Sequence, residues 1–121
     1  KSPNVRFRLI FIHVNPAITD GHHGNNSKIM KIASDYKVSA IFCGHSHSYS
    51  TNYFNGTEFN PSITSIINSN EGNGAVIQAG LGGNTNKAGT DMYLRVNVNQ
   101  SNITVQPITF NHTMLSAFTI I

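Results

Sequence analysis

Val38-Ser39-Ala40-Ile41-Phe42-Cys43-Gly44-His45-Ser46-His47 is the stretch on which the fold turns. Its first six residues form a short apolar run, the pattern of a strand buried on both faces. Gly44 breaks the run and lets the backbone turn sharply, and two histidines follow at a spacing of two. Upstream, residues 5–14 (Val-Arg-Phe-Arg-Leu-Ile-Phe-Ile-His-Val) begin with apolar alternation and continue as an unbroken apolar run. They read as a second buried strand, ended by Asn15-Pro16 because proline lacks a donor and restricts the residue before it. Between the two strands lie a polar loop over residues 19–26 and a helix predicted over 28–36. Ser27 is its N-cap, and Ile29, Ile32 and Ala33 form its apolar face. Strand, loop, helix, strand predicts a right-handed parallel crossover.

Past residue 50 the character changes. Segments 62–68, 74–79, 91–98 and 102–109 are short and β-branched, and Asn55-Gly56, Asn73-Gly74 and Gly82-Gly83 read as turns using positive φ. Residues 91–98 and 102–108, joined through Asn99-Gln100-Ser101, predict an antiparallel hairpin. At 121 residues and 13.2 kDa the chain is sized for one domain. The expected fold is α/β, with a parallel β-α-β start and an antiparallel, β-rich second half.

Composition excludes several functions. Charged residues are only 11%, and the eight Lys and Arg behind the net charge of +3 are scattered, so the pI of 9.3 is no nucleic-acid footprint. No apolar run approaches the roughly 18–20 residues of a membrane span. One cysteine, Cys43, rules out an intrachain disulfide framework and reads as an inert buried thiol. The chain opens at Lys1-Ser2-Pro3 with no Met start and no signal-type apolar region, the pattern expected of a piece of a longer polypeptide.

The histidines carry the chemistry. His13 falls at the end of the first strand, His22-His23 in the following loop and His45-Ser46-His47 after the second strand, while His112 stands apart as a surface or packing residue. In parallel α/β sheets ligands bind at the carboxyl ends of the strands, so neighbouring strands would bring His13, His45 and His47 to one rim. Neutral imidazole is the commonest metal ligand. A single strand-end histidine is by default a hydrogen-bonded packing residue; it is the combination with Gly-His-x-His that points to metal. Five Asn-x-Ser/Thr stretches begin at Asn25, Asn55, Asn99, Asn102 and Asn111, in a chain with 16 Asn.

Ile41-Phe42-Cys43-Gly44-His45-Ser46-His47 resembles the last signature of the calcineurin-like metallophosphoesterases, an apolar strand running into Gly-His-x-His. Phe11-Ile12-His13-Val14-Asn15-Pro16 is similar to the signature that precedes it. Within that superfamily the likeness is greatest to purple acid phosphatases. His22 and His23 stand nine and ten residues after His13, Tyr49 follows Gly-His-x-His at the family's spacing, and Val76-Ile77-Gln78-Ala79-Gly80-Leu81-Gly82-Gly83 matches a strand ending in Gly-x-Gly-Gly. The likeness spans about residues 5–110.

The resemblance implies the C-terminal half of one catalytic domain over residues 1–121, built as a four-layer αββα sandwich and completed by a missing N-terminal half. It implies two metal ions (Fe, Zn or Mn), with His13 and His45 on one and His47 on the other. His23 would contact the phosphate and protonate the leaving group, His22 would assist, and Tyr49 would wall the pocket. The implied substrate is a phosphate ester and the implied location is secreted or extracytoplasmic. The departures are equally specific. The superfamily's Asp-x-His, Gly-Asp-x-x-Asp/Tyr and Gly-Asn-His-Asp/Glu motifs are missing, since Asp20-Gly21-His22 follows the wrong strand. Ser50 and Thr51 replace the Glu/Arg after the family tyrosine, and only Asp20 of the five acids lies near the histidines. The chain alone is therefore expected to be inactive. The rival expectation is a non-catalytic, β-rich binding domain of a surface protein with structural histidines.

Overall fold

A computed structural model describes residues 4–16, 27–45, 49–55, 58–60, 66–79 and 92–121. Strand β1 (Leu9–Val14) leads to helix α1 (Ser27–Asp35) and strand β2 (Ala40–Gly44), and β1 and β2 pair in parallel. Strands β3 (Ser50–Asn55), β4 (Glu58–Asn60), β5 (Ile66–Ile67) and β6 (Asn73–Gln78) follow, with a 3₁₀ turn at Ser69–Glu71 before β6. The chain ends in β7 (Met92–Val98), β8 (Ile103–Thr109) and β9 (Phe118–Ile120). The strands form two mixed sheets, ordered β1-β2-β6-β3-β4 and β5-β9-β8-β7.

The first sheet is covered on both faces at its central strands β2 and β6, which explains their apolar runs, whereas the edge strand β1, expected to be buried, leaves Phe11 73% exposed. On one face α1 lays Met30 and Ala33 against Ile41, Phe54 and Val76. On the other, Ala40, Ala75 and Ile77 share a core with Ile67, Ile103, Val105, Phe118 and Ile120 of the second sheet. Burying each large aliphatic side chain of this kind contributes about 1.5–3 kcal/mol. The outer face of the second sheet is polar: Tyr93, Arg95 and Asn97 are exposed on β7, and their cross-strand partners on β8 include Gln106 and Thr104. Among the described residues no second helix covers it. Pro107, inside β8, has no N–H to return the bond that Leu115 N donates to its carbonyl oxygen at 3.0 Å, and Gln106 Nε2 donates to the Leu115 carbonyl oxygen in its place at 2.7 Å.

Several expectations are corrected. The second half is not purely antiparallel: β6 joins β2 in parallel, with Ala40↔Ala75 to Cys43↔Gln78, and β5 is parallel to β9. Residues 5–8 precede the first strand rather than belonging to it. On α1 the inward face is Met30, Ala33 and Ser34, whereas Ile32 is 57% exposed and Ala33 1%. Met30 and Ala33 are three apart, so they share a face, and Ile32 lies off it. Asn73-Gly74 is not a turn. The left-handed residue is Gly72 (φ 82), two positions earlier, and Gly74 lies inside β6. A Cβ there would come within 2.4 Å of Phe54 Cζ and 2.7 Å of the Val38 carbonyl oxygen, so close approach requires this glycine. The β7–β8 hairpin is present as expected, from Met92↔Thr109 to Val98↔Ile103.

Candidate metal centre

The parallel strands β1, β2 and β6 end together at one rim. Phe11 pairs with Phe42 but Val14 pairs with Gly44, so β1 has one residue more than β2 between these points. Such an irregularity re-aims side chains, and it falls at Ile12-His13. The next residue after β2 is His45, whose φ of 71 is left-handed. Turning at a non-glycine residue costs about 1–2 kcal/mol and is a form of strain that recurs at functional sites. Gly44, which the sequence suggests as the turning residue, remains in strand conformation, and a Cβ there would make an ordinary 3.7 Å contact with the Ala79 oxygen.

The result is a facing pair of imidazoles. His45 Nδ1 lies 3.1 Å from His13 Nε2, and the rings meet edge to face, with centroids 5.0 Å apart and planes at 81°. His13 is exposed and His45 half-buried. Two nitrogens each about 2.0–2.1 Å from one ion, subtending about 95–110°, stand about 3.0–3.4 Å apart. The observed separation therefore suits two ligands of one ion as well as a direct N–H···N hydrogen bond. Among the described residues no third His, Cys, Asp or Glu joins them. The carboxylate of Asp35 is on α1, where Lys31 Nζ donates to it at 2.9 Å.

Beneath the pair is a feature that sequence reasoning missed. Asn15 follows β1 and Gln78 ends β6. Asn15 Nδ2 donates to Gln78 Oε1 at 3.3 Å, across the end of β2, and both side chains are about 1% exposed. A buried amide pair of this kind ties the end of β1 to the end of β6 across β2, and such a hydrogen bond contributes about 0.5–1.5 kcal/mol. Nearby, the first residue of β3, Ser50, pairs with Gln78. Its Oγ is the one buried side-chain polar atom without a hydrogen-bond partner among the described residues, and orphaned polar atoms of this kind often mark a missing ligand, ion or water.

Tyr49, just before β3, stands at the same rim because β3 runs antiparallel to β6. Its ring packs against the inter-sheet core. Burial raises its phenol above the ordinary range, partly offset by a hydrogen bond with Thr51. Burial also pushes the Cys43 thiol up to about 12, and Cys43 Sγ donates to the Ile77 carbonyl oxygen at 3.6 Å. An un-ionised thiol is a poor nucleophile, in keeping with an inert role. His112 is exposed in the turn after β8. His22, His23, His47, Asp20 and Gly80–Gly83 lie outside the described residues. Compared with protein-family models and with curated proteins, the chain matches none.

Proposed function

We propose that the chain is the C-terminal half of a metallophosphoesterase catalytic domain, an αββα sandwich that hydrolyses phosphate esters at a dinuclear metal centre. The observation that carries this reading is the 3.1 Å approach of His13 and His45 at the carboxyl rim of parallel strands. In it His13 Nε2 and His45 Nδ1 hold one ion, and His47 holds the other. When bound, the metals (Fe, Zn or Mn) supply an activated water and compensate the charge of the phosphoryl group. His23 donates the proton that the leaving oxygen needs, with His22 assisting, and Tyr49 closes one wall against solvent. Asn15 and Gln78 tie the end of β1 to the end of β6 across β2, and so keep the two ligand-bearing strands at their working distance. The N-terminal half supplies the bridging carboxylate and the remaining layer.

The test uses the complete protein with an activated aryl phosphate, before and after chelation and metal replacement. The expected result is turnover that disappears with chelator and returns with Zn²⁺, Mn²⁺ or Fe. In the His23→Ala variant both metals should stay bound while kcat falls by roughly 10²–10⁴-fold, the range for general acid–base groups. That loss should shrink for esters with good leaving groups. Metal-independent turnover would sink the proposal, and no turnover with any metal would sink it in favour of a binding module with structural histidines.

A further inference from the structure

The five Asn-x-Ser/Thr stretches play no part in the chemistry above, and the structure separates them. Asn25 lies outside the described residues. Asn55 is exposed at the end of β3, but its Nδ2 donates to Asn73 Oδ1 at 2.9 Å, in the Asn55↔Asn73 pair between β3 and β6. Asn102 is half-buried directly before β8, and its backbone N–H donates to Asn99 Oδ1 at 2.9 Å.

Asn99 and Asn111 are different. Both are exposed, in the turns at opposite ends of β8. Each commits its side-chain oxygen to its own turn. Asn99 Oδ1 accepts from Ser101 N at 2.8 Å, and Asn111 Oδ1 accepts from Thr109 Oγ1 and from Thr113 N. For Asn111 no acceptor engages Nδ2 among the described residues. The Nδ2 of Asn99 has only a long contact, 3.4 Å, to Asn102 Oδ1. In both stretches the hydroxyl residue two positions on, Ser101 or Thr113, is exposed as well.

We propose that Asn111 and Asn99 carry N-linked glycans. In that transfer the Asn nitrogen bonds to the anomeric carbon of an oligosaccharide on a lipid diphosphate. The bond from that carbon to the diphosphate oxygen breaks, and the amide loses one proton. The folded chain must then hold a bulky, hydrated group. Exposed turns accommodate it without disturbing a sheet, whereas a glycan on Asn55 would remove the Asn55–Asn73 hydrogen bond and one on Asn102 would crowd the half-buried start of β8. Glycans at Asn99 and Asn102, three residues apart, would also collide. The proposal is independent of phosphoesterase activity.

Protein isolated from its own cells is treated with peptide N-glycanase in heavy-oxygen water, which converts each glycosylated Asn to Asp carrying the heavy isotope. Peptide mass spectrometry then reads the positions. The expected result is label at Asn111 and Asn99, with Asn55 and Asn102 unlabelled. In the same cells the Thr113→Ala variant should lose one mobility step and the label at Asn111 alone. Unlabelled Asn111 and Asn99, or label at Asn55 or Asn102 in their place, would overturn the proposal.

Discussion

Where β2 and β6 begin, Ser39 Oγ donates to Ser69 Oγ at 3.3 Å, Ser69 Oγ donates to the Ile121 carbonyl oxygen at 3.0 Å, and Ser34 Oγ donates to the Gly72 carbonyl oxygen at 2.8 Å. Where the same strands finish, two imidazoles face each other at 3.1 Å. Both ends gather polar groups, with different logic. The first uses short neutral side chains, all three serines buried, and it closes on backbone carbonyl oxygens. The second uses larger titratable rings at the surface, one on an irregular strand end and the other at a left-handed residue. The facing nitrogens can share a proton or an ion. The first cluster ends on the fold's own carbonyl oxygens, while the second sets two ligand-type nitrogens at a separation that one ion can span.

If that contrast is right, variants at the two ends should separate activity from stability. The largest effect is expected for His13→Ala and His45→Gly in the complete protein, with loss of metal and of nearly all turnover. This should exceed the roughly 10–100-fold that removal of an outer-sphere partner costs. In metal-free protein the folding free energy of His13→Ala should change by no more than about 0.5 kcal/mol, since substitutions of exposed residues usually stay in that range. His45→Gly should leave stability unchanged or raise it by up to about 1–2 kcal/mol, because glycine relieves the left-handed strain at position 45. Metal analysis and urea denaturation on the same samples read both quantities. Gly74→Ala should do the reverse, destabilising by about 1–3 kcal/mol through overpacking against Phe54 and the Val38 carbonyl, with metal content unchanged.

A smaller loss is expected for Ser69→Ala. It removes the hydroxyl that serves the Ile121 carbonyl oxygen and accepts from Ser39, at about 1 kcal/mol for the lost bonds, toward 3 if a buried partner stays unpaired. The smallest is Ile32→Lys, with no measurable change in denaturation midpoint, because Ile32 is mostly solvated. A large drop there would restore the sequence-based helix face and undo the packing described above.

The two ends were not equally legible. The β1-α1-β2 unit and the approach of His13 to His45 follow from signals of short range: apolar runs, Asn15-Pro16, and Gly44 at the strand end. The Asn15–Gln78 pair joins residues 63 apart, and no local pattern announces it. Strand β3 was missed because Ser-Thr-Asn-Tyr-Phe-Asn carries one fully buried apolar residue, Phe54, so its strand character comes from pairing with β6. Strand β9 was missed because it is three residues long. Asn73-Gly74 misled because Asn-Gly is a strong turn signal, while the need for glycine came from the Phe54 ring. At position 45 the adjacent Gly44 drew the assignment of the sharp turn that the histidine makes itself. Of the remaining candidate residues, Tyr49 could be placed at the rim, whereas His22, His23 and His47 lie outside the described residues.

The central claim is that the two imidazoles share an ion rather than a proton. Anomalous diffraction from crystals of the complete protein, recorded at the absorption edge of the metal found in it, addresses this directly. The expected result is an anomalous peak about 2.0–2.2 Å from both His13 Nε2 and His45 Nδ1, with a second peak roughly 3.5–4 Å away. A map with no peak between the two rings, their nitrogens still in direct contact and any metal held elsewhere, would contradict it.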